Sequence, residues 1–289
     1  MDSKRTLSRI LEAPQAMEGE GVPIRRAFPS HEFGLLDPFL LFDHFGGVTL
    51  KPGEAKGFPD HPHRGFETVT YMLAGEFEHR DSFGHHGILK AGDVQWMTAG
   101  SGLVHSETPA KSMLENGGLL EGFQIWVNLP ARDKMKAPHY QELSGANIPT
   151  ARSEDGLAAV KVIAGSALGV KGAVETHIPI EYLHVRLQAG AVFTQALPAN
   201  LNAMVYVFQG SVSVAGRNVP QYHVGEIATN GNSVTFEAAE PTDFLLLAAQ
   251  PIKEPVARYG PFVMNTAAEL QQAFEDYREG KMGSITVPR

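Results

Sequence analysis

Short apolar runs separated by turn residues fill most of this chain, and few are long enough to be helices. Residues 21–28 (GVPIRRAF) and 38–45 (PFLLFDHF) read as early strands. Val69–Leu73 reads as a strand that ends at Ala74-Gly75, with Glu76–Arg80 returning beside it. Turns at 81–84 and 91–93 flank a short strand over Gly87–Lys90. Val94–Met97 and the long apolar run Leu119–Leu129, closed by Pro130, complete this half. After a mixed stretch over residues 130–158, a second set follows: Ala159–Ala164, Val174–Ile178, Tyr182–Leu187, Ala203–Gln209, Ser211–Val214, Ser233–Glu237 and Phe244–Ala249. Many short strands with scattered glycine and proline predict an all-β sandwich or barrel architecture. One segment has the helical period: Ala267, Leu270, Phe274 and Tyr277 form a stripe that Thr266 can cap, with Glu269 completing a capping box and Gly280 as the stop.

The chain repeats itself weakly. Tyr71–Gly75 (YMLAG) resembles Tyr206–Gly210 (YVFQG), and Ala91-Gly92-Asp93 resembles Val224-Gly225-Glu226 at nearly the same offset. This alignment sets His61 and His63 opposite Ala196 and Pro198, and His105 opposite about Ala238. It predicts two domains, 1–139 and 140–289, of similar architecture. The helix falls in the second, and only the first keeps a metal site.

Composition narrows the function. With 24 basic against 32 acidic residues and a net charge of -8, the chain has no large basic surface for direct contact with nucleic acid. It has no cysteine, so disulfides and thiolate ligands are excluded. No apolar run is long enough to span a membrane, and the N-terminus leads into no apolar core of a secretion signal. We therefore expect a cytoplasmic monomer.

The chemistry gathers between residues 57 and 107. His61 and His63 are spaced i, i+2, and so are His105 and Glu107. Side chains alternate along a strand, so each pair projects to one side. Two such strands side by side would aim three imidazoles and one carboxylate at a single point. A donor set of nitrogen and oxygen without sulfur suits one Fe, Mn, Ni, Cu or Zn ion. His79, His85 and His86 cluster at a hairpin and read as loop or supporting residues. His139, His177, His184 and His223 read as structural or exposed, Trp96 and Trp126 as core, and Arg64 as an ion-pair residue.

HxH-x(3)-Glu, a Gly-Asp turn and a late histidine resemble the cupin pattern. The longer stretches DPFLLFDHF (37–45), FPDHPHRGFETVTY (58–71), GDVQWMTAG (92–100) and GPFVMNT (260–266) resemble one cupin family, the pirins, from about residue 20 to the end. Ala55 and Thr98 depart from the general cupin pattern, which has glycine and proline there. The resemblance implies a bicupin: two antiparallel β-barrels packed face to face, with one metal in the N-terminal barrel. By motif position the ligands would be His61, His63, His105 and Glu107, with Glu67 as the competing carboxylate and Fe(II) as the family's usual metal. It further implies a quercetin 2,3-dioxygenase activity. A flavonol or similar planar aromatic and O2 would be the substrates, with Glu107 as ligand and general base. The alternative it implies is an iron-dependent regulator that binds a transcription factor or metabolic enzyme.

Overall fold

A computed structural model of the chain describes residues 3–285. The first half supplies β1 (Leu7–Glu12), β2 (Gln15–Glu18), β3 (Val22–Phe28), β4 (Phe39–Leu50), β5 (Phe58–His63), β6 (Phe66–Ala74), β7 (Glu76–Asp81), β8 (His86–Lys90), β9 (Val94–Thr98), β10 (Leu103–Pro109), the short helix α1 (Lys111–Asn116), β11 (Gly118–Asn128) and β12 (His139–Leu143). The second supplies β13 (Thr150–Arg152), β14 (Ala158–Ala164), β15 (Ser166–Ala167), β16 (Val170–Lys171), β17 (Ile180–Leu187), β18 (Val192–Ala196), β19 (Asn202–Gln209), β20 (Ser211–Val214), β21 (Arg217–Pro220), β22 (His223–Ile227), β23 (Ser233–Glu237), β24 (Thr242–Ala249), β25 (Ala257–Tyr259), β26 (Phe262–Met264) and helix α2 (Ala267–Arg278).

The two halves repeat one topology. A seven-stranded sheet ordered β12-β9-β6-β11-β4-β3-β2 accompanies a four-stranded sheet β5-β10-β7-β8. The second copy is β1-β22-β19-β24-β17-β14-β13 with β18-β23-β20-β21. Two antiparallel sheets closing over a shared core make a jelly-roll barrel, the cupin architecture expected of an all-β chain. The turn of the repeat is a glycine in both copies: Gly75 has φ +81° and Gly210 φ +71°, and a β-carbon there would meet a neighbouring strand's carbonyl at 2.8 and 2.5 Å. One core is built from residues such as Val160, Leu183, Val205, Val212, Phe236 and Leu246; the other from Ile24, Phe45, Met72, Phe77 and Leu120.

The compact units are interleaved along the chain rather than divided by one cut near residue 140. One takes the N-terminal segment through Pro14, Ala27–Pro38 and Ala146–Pro251; the other takes Gln15–Arg26, Phe39–Gly145 and the chain from Ile252. Leu7 of β1 joins the second-half core, and β1 pairs with β22. Helix α2 belongs with the first-half barrel, not the second. Its Ala273 is buried with Val104, Phe262 and Met282, and Leu270 and Phe274 pack on them. Thr266 and Glu269 form the expected capping box, and Gly280 follows the helix at φ +75°. Tyr277, at the end of the stripe, keeps 39% of its surface exposed while its ring meets Phe262 edge-on at 6.2 Å. Val174–Ile178, expected as a strand, is irregular.

Candidate metal centre

The HxH segment is the edge strand β5, whose one hydrogen-bonded neighbour is β10. An edge position tolerates Pro59 and Pro62, which have no N–H to give to a second neighbour. The register places His61 beside His105 and His63 beside Leu103, so three imidazoles project from two adjacent strands. Gly65 then breaks the strand. Its φ is +87°, and a β-carbon would lie 2.0 Å from the carbonyl oxygen of Val263.

The rings of His61, His63 and His105 lie with centroids 4.3–4.9 Å apart. One nitrogen from each falls within 4.8 Å of the others. The Nδ1 of His61 donates to Pro59 O at 2.7 Å, and that of His63 to Pro261 O at 3.3 Å. A carbonyl can only accept, so these bonds put the proton on Nδ1 and leave each Nε2 with a free lone pair that can bind a metal. His105 is fully buried and neither ring nitrogen has a protein partner. Burial holds the pKa of His63 and His105 well below the ordinary histidine value, keeping them in the neutral form that ligates metal. The three side chains therefore fit a first-row transition metal.

Glu107 lies in the same cavity wall but outside that group of imidazoles. Its Oε1 is 2.8 Å from the Thr70 hydroxyl, and its Oε2 accepts from Gln124 Nε2 at 2.9 Å. Burial raises its pKa, while His61 and these two hydrogen bonds pull it down. Glu67 is placed differently. It accepts from the Thr98 hydroxyl at 2.7 Å, and β6 pairs regularly with β11 from Thr70 to Glu67. Three residues of regular strand put Glu67 on the opposite face from Thr70. The parity that would have joined it to His63 is lost at the Gly65 break.

His61, His63 and Glu107 line a cavity of about 490 Å³, within the range of small-molecule sites. Its walls include Ile24, Leu41, Phe45, Phe58 and Trp126, with Arg26, Asp43 and Arg258 among the polar groups. Trp126 packs on the buried Leu40, Phe66 and Val263 and also forms part of the cavity wall, with its ring 5.1 Å from that of His63. Once β11 is known to pair with β6, strand parity explains this: Gln124 and Trp126 sit opposite Thr70 and Thr68.

Two buried cations support the strand behind the histidines. Arg64 donates to Ser101 O and, at 2.7 Å, to Asp276 Oδ2 on α2, as its ion-pair reading anticipated. Lys134, which no sequence pattern singled out, donates to Gly65 O, Asn128 Oδ1 and Val263 O and so ties down the break after His63. His79 departs from a loop reading. It is fully buried on β7 against His105 and Tyr140, and burial pushes its pKa down to about 4. His85 and His86 stay at the hairpin, bonded to Asp81 and Glu78. His184 bonds Asp243 in the other unit.

In that unit the register corrects the counterpart of His105. Ala196 pairs with Ser233 as His61 pairs with His105, and Val214 pairs with Phe236 as His79 pairs with Glu107. Ser233 therefore replaces Ala238, because the second half lacks the longer Gly92–His105 connection. Ala196, Pro198, Ser233 and Phe236 offer no imidazole or carboxylate.

Two jelly-roll units, one carrying a triad of imidazoles, define a bicupin with a single candidate metal site among its described residues. Family models for pirin (residues 21–127) and the pirin C-terminal cupin domain (residues 182–283) both match the chain. Human pirin is 42% identical over 288 residues, 97% of this chain and 94% of its own. A pirin-like protein of Solanum lycopersicum is 44% identical, covering 92% of this chain and 89% of its own. The crystal structure of a quercetin 2,3-dioxygenase from Acinetobacter baumannii superposes with a TM-score of 0.93 at 38% identity, covering 98% of this chain and all of that one. The chain belongs to the pirin family.

Proposed function

We propose that this protein is a metal-dependent dioxygenase that opens a flavonol such as quercetin with O2. His61, His63, His105 and Glu107 would hold one ion per chain, Fe(II) in the native protein, with Mn, Ni, Cu and Zn compatible with the same donors. The carrying observation is the imidazole triad at the end of an aromatic-walled cavity that also contains a buried carboxylate. Similarity to the Acinetobacter quercetin 2,3-dioxygenase supports the substrate class.

When bound, the ion would act as a Lewis acid toward the flavonol oxygen and gather O2 beside it. The residues supply the rest. Phe45, Phe58 and Trp126 give flat apolar surface for a planar ring system and exclude water from it. Glu107 takes the proton of the flavonol 3-hydroxyl. Its burial favours the protonated acid, which makes it a stronger base than an exposed carboxylate. Thr70 and Gln124 orient both of its oxygens, and Glu107 would exchange one of these bonds for the metal.

The test is iron-loaded protein with quercetin in air, following flavonol absorbance and released carbon monoxide. Stoichiometric carbon monoxide supports the reading. Quercetin left untouched would remove it and leave the regulatory alternative, a partner-binding pirin, in its place.

A further inference from the structure

Among the described residues, one cation lining the cavity has no carboxylate in direct ion-pair contact. Arg26 is accounted for: it donates to Asp43 at 2.7 and 2.8 Å and contacts Glu18 at 2.8 Å. Glu107 is held by Thr70 and Gln124. Arg258 donates through Nη1 to Leu40 O at 3.0 Å, and its guanidinium carbon lies 4.7 Å over the Trp126 ring. Among the described residues it forms no ion pair. A guanidinium has five N–H donors in a rigid fork suited to a carboxylate or other anion. Stacking on an indole fixes the plane of that fork before any ligand arrives.

The Trp126 ring carries the Arg258 guanidinium over it and lies 5.1 Å, in a T-shaped contact, from the His63 ring. The guanidinium therefore stands within about 10 Å of a metal-ligating ring, along one aromatic wall of one cavity. A planar molecule lying along this wall with one end at the imidazoles would pass within reach of Arg258.

We propose that Arg258 is a specificity residue that pairs with an anionic substituent, a carboxylate or ionised phenolic oxygen, on the ring of the substrate far from the imidazoles. This rests on the planar-aromatic reading of the cavity. One such group is favoured and not several, because Glu18, Glu20, Asp43 and Asp60 also line the cavity and repel further negative charge. Burial and the neighbouring Arg26 make the Arg258 charge costly, with Asp43 easing it, and a ligand anion would offset that cost.

Calorimetric titration of zinc-loaded, redox-silent protein tests this, using 3-hydroxyflavone and its 4′-carboxylate as a matched pair. The carboxylate should bind about 10–100-fold tighter, the span of a charge-assisted hydrogen bond. Arg258→Gln should erase that preference while leaving the affinity for 3-hydroxyflavone within a few-fold. Arg258→Lys should restore part of it. Equal affinities in the wild type, or a preference that survives Arg258→Gln, would overturn the proposal without touching the dioxygenase reading. An Arg258-dependent preference in a protein that does not turn over flavonols would do the reverse. If neither compound binds, both readings fall.

Discussion

Replacing Asp276 by asparagine should weaken the unit that carries the imidazole triad from a distance of 212 residues in sequence. Arg64 follows His63 directly, and its side chain is 6% exposed. Its counter-charge is Asp276 on α2, which also accepts from Gln272 and Lys281. The substitution keeps the size of the side chain but leaves the guanidinium buried without an anion. Breaking one partner of a buried pair costs roughly 3–5 kcal/mol. In a cooperative unit of this size each kcal/mol lowers Tm by roughly 2–4 °C. Lys281 and Arg64 hold the Asp276 carboxyl below its ordinary value of 3.8, so the stabilisation is complete above that value and is lost as pH falls below it. Urea unfolding at pH 7 and near pH 3 should therefore show a large deficit for Asp276→Asn at the first and a smaller one at the second. A double-mutant cycle with Arg64→Met isolates the pair. A loss under about 0.5 kcal/mol at pH 7, typical of exposed pairs, would show that α2 does not anchor the histidine strand.

Other outcomes follow from single side chains. Lys134→Met orphans Gly65 O, Asn128 Oδ1 and Val263 O, at roughly 1–3 kcal/mol for each acceptor left dry, read as a shift in the urea midpoint. Glu181, whose pKa burial raises from 4.5 to about 7, holds its proton more tightly in the folded state; its contribution is full below pH 4.5 and fades as pH rises to 7. Glu181→Gln should therefore gain stability relative to wild type between pH 5 and pH 8. At equal metal loading Glu107→Gln should lose quercetin turnover by about 10²–10⁴-fold. Glu67→Gln, on the opposite face of β6, should be milder; the reverse order would exchange the two assignments.

Local rules made much of the fold legible. Alternation and turn residues marked most strands, and Thr266, Glu269 and Gly280 bounded α2. The i, i+2 pairs found the triad because strand parity is local. What escaped the sequence depends on partners distant in the chain. Nothing in Leu7–Glu12 shows that it pairs with β22, and the stripe of α2 shows an apolar face without showing Val104 and Phe262 beneath it. Trp126 and Lys134 acquire their roles from β6 and from Val263, and Glu67 was ambiguous until Gly65 was seen to break the strand.

One transition metal is proposed to sit among His61, His63, His105 and Glu107. A crystal structure of iron-loaded protein, with anomalous data across the iron edge, tests it most directly. A single iron peak per chain is expected, bonded to the Nε2 atoms of His61 and His63, a ring nitrogen of His105 and a Glu107 oxygen, at about 2.0–2.2 Å as in other first-row sites. A peak elsewhere, a second peak near Ser233, or no peak from protein loaded with iron would contradict it.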